Sequence, residues 1–586
     1  MARQMPHVDV VIVGMGWTGG IAARELMGTG LRIVGLERGR FRDTIPDFTA
    51  PNALDELRYG IRGDLFQDLS KETVTFRNAP NQTALPMRRL GAFLPGTGLG
   101  GAGVHWNGQT YRFLPTDFKL KSHVEQRYGK KFIDNDLSVQ DWGVSYDELE
   151  PAYDKFEYLC GISGKAGNIQ GKIQPGGNPF EGSRQREYPT PPLDAGFSGS
   201  LFREAAASLG HRPFPTPAAN LSQTYINPDG VELQVCTFCG FCERYGCYNW
   251  SKSSPLNTVL PIAMRNPNFE LRCESHVTRV NMSKDGKTAI GVTYVDANGV
   301  EVDQPADLVL LCAFQLHNVR LMLASGIGKP YDPASGEGVV GRNFAYQTVA
   351  NVIPFFADKR LNTFAGAGSM GVTIDEFNGD NFDHGNDGFI GGGYIAVTTT
   401  GARPITQFVM PAGSPRWGAG WKKTLAQWYD RAFPIVCHGS SMARKQNYLD
   451  LDPTYRDIYG VPLLRLTFDF SPNDVRMREF LIGKATQIAN ATTPTHVIQS
   501  RPPVPFSIVP YQTTHVTGGA IMGTDPQTSA INRYLQSWDV PNVFVFGASA
   551  FPQNAGYNPT GTVGALTYWG LDALKSKYLP SPGRLT

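Results

Sequence analysis

Four of the eight cysteines, Cys236, Cys239, Cys242 and Cys247, fall within twelve residues, in the string Cys236-Thr-Phe-Cys-Gly-Phe-Cys-Glu-Arg-Tyr-Gly-Cys247. Thiols separated by two, two and four residues can converge on one centre. Soft thiolates select zinc or an iron–sulfur cluster over hard cations, so the spacing is a ligand pattern before it is a disulfide pattern. The bacterial ferredoxin run has three residues before its last cysteine, whereas this one has four and no proline after it. Structural zinc more often uses two separated Cys-x2-Cys knuckles. The string therefore favours a cluster, with zinc as the structural alternative. Cys160, Cys273, Cys312 and Cys437 are scattered.

A second chemistry-bearing pattern opens the chain. Gly14-Met-Gly16-Trp-Thr-Gly19 lies between a β-branched run, Val8 to Val13, and apolar residues at helical spacing from Ile21 to Met27. The run Leu31 to Leu36 follows and ends at Glu37, 18 residues after Gly19. Strand, glycine turn, helix, strand and acid together form a dinucleotide-binding βαβ unit. One glycine permits the turn, one lets backbone approach a pyrophosphate and one lets helix pack on strand, while Glu37 would accept hydrogen bonds from ribose hydroxyls. A purely structural glycine turn in a parallel sheet is the bland alternative. Gly96-Thr-Gly98-Leu-Gly-Gly101-Ala-Gly-Val-His105-Trp106-Asn107-Gly108 is too glycine-rich for a regular helix or strand and suits a loop whose backbone lies against a ligand.

The elements that must position these groups are those of a large enzyme. At 586 residues the chain exceeds one ordinary core, and two domains interleaved along the sequence are expected. A formal charge of +2, with 18% charged residues, gives no electrostatic case for nucleic acid. Apolar stretches such as Val349 to Ala357 are broken by Asn and Pro and are too short to span a bilayer. Met1 to Asp9 lacks the apolar region of a secretory signal, so the protein is cytosolic or a partner carries the address. Strands are expected at Val277 to Val280, Ile290 to Val295, Leu308 to Cys312 and Asn542 to Phe546. Helices are expected at Tyr146 to Leu159, Gln315 to Leu323 and Thr562 to Lys575. Alternation in Phe389 to Thr398 and Leu463 to Phe470 suggests a separate antiparallel sheet.

In this order, the N-terminal glycine unit, the loop 96–108, the segment Leu308 to Gly328, Gly341-Arg-Asn343 and the block Thr514 to Leu574 resemble the glucose-methanol-choline (GMC) oxidoreductases over nearly the whole chain. Ordinary GMC oxidases lack the cysteine string, which is similar to that of the flavoprotein subunits of FAD and iron–sulfur sugar dehydrogenases in the family. The resemblance implies an α/β, Rossmann-like FAD domain built from discontinuous segments (1–115, 230–345 and 511–586, with 236–247 inserted). A wrapping segment, 116–229, and a substrate domain with a mainly antiparallel sheet, 346–510, complete it.

The resemblance also implies roles. His515, in Thr513-Thr-His-Val-Thr-Gly-Gly, matches the catalytic-histidine segment, and Asn558, in Gly556-Tyr-Asn-Pro-Thr-Gly, stands where the family has His or Asn. His515 would take the hydroxyl proton as hydride leaves the carbon, and Asn558 would hold the substrate oxygen. Gly14, Gly16, Gly19, Glu37, Gly98, Gly101, His105, Trp106, Asn107, Ala548, Pro559 and Thr560 are expected to bind FAD. The family's acidic residue near the last helix is replaced by Gly547-Ala548-Ser549, so contacts there are expected through backbone. Some members tether FAD through a histidine in a context like Val104-His105-Trp106; an imidazole packed nearby without a bond is the alternative.

A 3Fe-4S cluster needs three of Cys236, Cys239, Cys242 and Cys247. The implied activity is oxidation of a secondary alcohol in a sugar or sugar acid, gluconate-like, to a ketone. Electrons would pass to a membrane-bound cytochrome c subunit or quinone, and a small subunit would carry the export signal, placing the enzyme at the periplasmic face of a bacterial inner membrane. A carboxylate substrate would call for Arg403, Arg416 or Lys422, residues that surface solubility explains equally well. Glucoside 3-dehydrogenase or another polyol dehydrogenase is the alternative within the family, and a non-catalytic electron-transfer subunit is the alternative from another class.

Overall fold

The computed structural model describes residues 2–399 and 409–585. Its largest sheet has eight strands. Five lie side by side in parallel, in the order Phe269–Arg272, Ile33–Leu36, Val8–Val13, Glu301–Leu311 and Val543–Val545. A parallel sheet covered on both faces needs strands apolar throughout. Val10, Val11, Ile12, the residues from Leu308 to Leu311 and those from Val543 to Val545 are accordingly all buried. Glu301–Leu311 changes partner along its length: its first half pairs antiparallel with Ala289–Val295, which pairs in turn with His276–Met282. Strands from both ends and the middle of the chain thus meet in one sheet, as expected of a doubly wound domain made from discontinuous segments.

The second sheet is antiparallel and has six strands, in the order His496–Ser500, Thr348–Phe355, Ile435–Gly439, Gly393–Thr398, Gly371–Ile374 and Phe214–Pro215. Strand side chains alternate between faces, and here the alternation divides core from cavity. Ala350, Val352, Ile395, Val397, Ile435 and Cys437 pack against Met477, Leu481, Ile482 and Ala485 of the 20-residue helix Pro472–Ala491. Their neighbours Val349, Asn351, Ile353, Tyr394, Ala396, Val436 and His438 line the cavity on the opposite face. The helix starts on a capping box: the Ser471 hydroxyl accepts the Asp474 N–H, the Asp474 carboxylate accepts the Ser471 N–H, and Pro472 takes the first position.

Two expectations need correction. The alternating segment Leu463 to Phe470 forms the strand Pro462–Thr467, but in a separate four-stranded sheet, antiparallel to Tyr448–Arg456 and parallel to Val74–Arg77. Alternation specifies a strand and its buried face, not its partner. Within the glycine-rich loop, Ala102–His105 forms one helical turn. The glycines before it take positive φ, at Gly98, Gly100 and Gly101, while the turn itself needs only ordinary helical angles. The helix Tyr146–Cys160 packs on Thr560–Ala573, where a Cβ on Gly564 would lie 2.4 Å from the Phe156 ring. Among the described residues, no helix is long and apolar enough to cross a membrane.

Candidate active site

A cavity of about 980 Å³ is lined from both sheets. At one end it meets the N-terminal glycines. Gly14 has φ +91°, and a Cβ there would lie 2.7 Å from the Cys312 carbonyl oxygen. A Cβ on Gly19 would lie 2.0 Å from the carbonyl oxygen of Gly14, so that glycine sets the helix against the strand. A Cβ on Gly16 would meet nothing nearer than the Gly100 carbonyl at 3.8 Å, with Gly101 opposite. The space in front of Gly16 is therefore open to a ligand at the N-terminus of helix Trp17–Glu25.

Glu37 lines the same end, and its carboxylate also braces the backbone: Oε2 accepts the Met15 N–H at 3.1 Å and Oε1 the Gly39 N–H at 2.9 Å, which leaves each oxygen a further lone pair. Burial pushes its pKa up against these hydrogen bonds. Its first service is to hold the glycine turn. Gly98 is displaced from the lining, wedged against Arg42 and Gly39. Gly101, His105, Trp106, Asn107, Ala548, Pro559 and Thr560 all line the cavity. Trp106 is fixed by donating from Nε1 to the Ser253 carbonyl at 2.8 Å.

His105 differs from its neighbours. Its Nε2 is buried without a hydrogen-bond partner, and burial, then Lys252 and Arg244, lower its pKa to about 3. A neutral imidazole with an orphaned nitrogen in a ligand cavity is an exposed lone pair without a proton donor.

At the other end stand His515 and Asn558, with Nε2 of the histidine 3.4 Å from Nδ2 of the amide. The sequence brings them from different loops; the structure adds three side chains that hold them. Gln347 is fully buried and its Oε1 accepts from Nδ1 of His515. Its Nε2 donates to the carbonyls of Ala555 and Tyr557 at 2.9 and 3.1 Å, which fixes the amide's orientation. Tyr394 donates its hydroxyl to Oδ1 of Asn558 at 2.7 Å, leaving Nδ2 turned towards His515. His438 stacks on Tyr394 with ring centroids 5.0 Å apart, and its Nδ1 lies 3.2 Å from Oε1 of Gln347. Burial, and then His438, hold His515 well below the usual imidazole range. The result is a neutral His515 with its proton on Nδ1 and a free lone pair on Nε2, the tautomer of a general base.

None of these three supports was expected. Gln347 lies in an apolar stretch, and His438 reads as one polar residue in an alternating strand. Only the pairing of Thr348–Phe355 with Ile435–Gly439 brings them to one face. The anticipated carboxylate partners do not reach the cavity: Arg416 and Lys422 are exposed away from its lining, and Arg403 lies outside the described residues. On the antiparallel-sheet side Arg501 lines it, paired with Glu479 at 3.0 Å.

The cysteine loop borders the same cavity. Glu243 and Arg244, between Cys242 and Cys247, are part of its wall. The Arg244 N–H donates to the His105 carbonyl at 2.8 Å. Buried Lys252 donates to the carbonyls of Trp106, Cys242 and Tyr245 at 2.7, 2.6 and 2.8 Å, tying the loop to the glycine-rich segment. Three thiols receive N–H groups: Cys236 from Phe238 at 3.4 Å, Cys242 from Asn220 at 3.5 Å and Cys247 from Lys252 at 3.4 Å. No three of the four sulfurs lie within 4.8 Å of one another; among the described residues only His7, Asp9 and Asp307 make so tight a group. Tetrahedral zinc, with Zn–S near 2.3 Å, would draw its sulfurs to roughly 3.8 Å.

Residues 141–349 and residues 443–567 each match the GMC oxidoreductase family, and the chain belongs to that family. It is an FAD-dependent alcohol dehydrogenase. It is 52% identical over 592 residues to the gluconate 2-dehydrogenase flavoprotein of Pantoea cypripedii, covering 100% of this chain and 96% of that protein. To the fructose dehydrogenase large subunit of Gluconobacter japonicus it is 25% identical, covering 98% and 99%. Among solved structures, pyridoxine 4-oxidase from Mesorbium loti superposes with a TM-score of 0.59 at 17% identity over 97% of this chain and 99% of that one, a likeness of fold.

Proposed function

We propose that this chain is the flavoprotein of a gluconate 2-dehydrogenase-like complex, oxidising a secondary alcohol of a sugar acid to a ketone. The observation that carries the reading is the paired His515 and Asn558 at the end of a cavity whose far end is a nucleotide-binding glycine unit, in a chain half identical throughout to such a flavoprotein. The Nε2 lone pair of His515 takes the hydroxyl proton. Nδ2 of Asn558 donates to the same oxygen and holds the carbon in place, and Gln347 and Tyr394 keep both groups aimed. Bound FAD supplies the two-electron acceptor. Gly14, Gly16 and Gly101 would face its phosphates, with Gly19 letting the helix close on the strand behind them, and Trp106, Asn107, Ala548, Pro559 and Thr560 its remainder. The orphaned Nε2 of His105 supports a covalent bond to the flavin there; flavin released on acid precipitation of the protein would refute the bond.

Three of Cys236, Cys239, Cys242 and Cys247 would ligate a 3Fe-4S cluster, whose chemistry is one-electron transfer towards a cytochrome c subunit or quinone. Stoichiometric iron with an EPR signal in the oxidised protein supports this; zinc without iron overturns it. The name of the relative, a flavoprotein of a dehydrogenase, supports a multi-subunit complex; the partners proposed for it are a small subunit that carries the export signal and a membrane cytochrome at the periplasmic face. The deciding experiment is a dye-linked assay across gluconate, glucose, fructose, polyols and glycosides. Gluconate preferred, with a 2-keto product, is expected; a glycoside oxidised at C3 in preference would displace the reading.

A further inference from the structure

The hydrogen bonds of Gln347 determine more than the state of His515. Both of its amide hydrogens are committed to the Ala555 and Tyr557 carbonyls, so Oε1 faces the two histidines, and an amide oxygen only accepts. His515 and His438 must therefore both carry a proton on Nδ1. A neutral imidazole has a single N–H, so both present Nε2 as an acceptor, that of His515 facing Nδ2 of Asn558. Burial keeps both neutral near pH 7, with His438 lowered to about 4. Among the described residues Nε2 of His438 has no partner, and the side chain lines the cavity beside His515, ring centroid to ring centroid 5.7 Å.

We propose that Nε2 of His438 is a second hydroxyl-binding subsite, so that the enzyme selects substrates with a hydroxyl on the carbon next to the one it oxidises. The inference rests on the alcohol-oxidising reading of His515 and narrows its substrate class. Two acceptors on rings this close, each reaching roughly 2.8 Å to an oxygen, span the oxygens of neighbouring carbons. The first hydroxyl gives its proton to His515; the second donates to His438. Because His438 can only accept, it welcomes a hydroxyl and repels a carboxylate. A sugar acid therefore lies with its acid group turned away from His438 and its next hydroxyl towards it, while a monohydric alcohol leaves the subsite unmatched.

The test compares the best substrate of the dye-linked panel with its analogue lacking the hydroxyl next to the oxidised carbon, in the flavin-loaded wild type, His438→Phe and His438→Gln. The wild type should favour the full substrate by about ten- to hundredfold in kcat/KM, the range of one hydrogen bond to an otherwise unmatched polar group. His438→Phe should abolish that preference, the full substrate losing about ten- to hundredfold more rate than its analogue, and His438→Gln, which restores an acceptor oxygen, should recover part of it. Flavin absorbance and thermal midpoint verify that each variant is folded. Equal wild-type rates on the two compounds, or a preference that survives in folded His438→Phe, would overturn the subsite. A preferred substrate other than gluconate would displace the gluconate reading and leave this comparison fully decisive.

Discussion

Around His515 the restraints run from side chain to side chain: Gln347 grips the imidazole, Tyr394 grips Asn558, and buried carbonyls grip Gln347. The loop 236–247 is held instead through its backbone, by Lys252 on three carbonyls, by Arg244 on His105 and by Gly240 on Gly366, and its thiols receive only long N–H contacts. The first arrangement fixes protons and angles, as proton transfer demands. The second fixes a fold and leaves sulfur free to be drawn to a ligand. Two regions bordering one cavity are thus held in different ways, which suits the tasks proposed for them, bond-breaking for one and electron transfer for the other.

Breaking the second region should separate the two tasks most completely. Replacing Cys236, Cys239, Cys242 and Cys247 together by Ser is expected to lose iron and abolish transfer to a cytochrome acceptor, while the same protein still bleaches its flavin with substrate; iron analysis with anaerobic spectra checks both. Retained acceptor activity would mean that electrons leave by another route. In the first region, Asn558→Ala should slow flavin reduction about a hundredfold, in line with the loss of one oriented donor on the reacting oxygen. Gln347→Leu should cost about tenfold and broaden the pH profile, because His515 then loses its fixed tautomer; a profile identical to wild type would deny Gln347 that role.

The smallest expected effect is a displacement of pH dependence. A histidine whose pKa is depressed by burial remains a competent base until the pH falls below that depressed value. The acid limb of kcat/KM should therefore lie below pH ~6.5, the ordinary imidazole value. His438 gains its own charge only near pH 4, so where the limb reaches that range His438→Phe takes away a like charge and the limb should move upwards. An unmoved limb would leave burial as the sole cause.

Four of the five parallel strands were readable as short apolar runs, whereas Phe269–Arg272, with two charged residues in four, carried no such signal; His515 and Asn558 were readable because each sits in a string whose neighbours are as distinctive as itself. The helix Pro472–Ala491 was missed although Ser471-Pro-Asn-Asp474 is a capping signal; its apolar face is mixed with Arg478 and Thr486, which blurs the period. Gln347 and His438 carried no signal at all. Their importance arises from strand register, which pairs Thr348 with Gly439 and Val349 with His438 and so sets the two side chains beside His515. Register is a tertiary fact, decided by which strands meet. Glu37 was readable by its distance from the glycines, but its hydrogen bonds to the Met15 and Gly39 N–H groups were not, because they depend on how the turn folds back on it.

The central claim is that His515 is the base that starts the reaction. The most direct measurement is anaerobic stopped-flow reduction of the bound flavin by gluconate, in the wild type and in His515→Ala. The variant should keep its flavin and its fold yet reduce it about a thousandfold more slowly, within the range for a lost general base. Reduction at the wild-type rate would contradict the account.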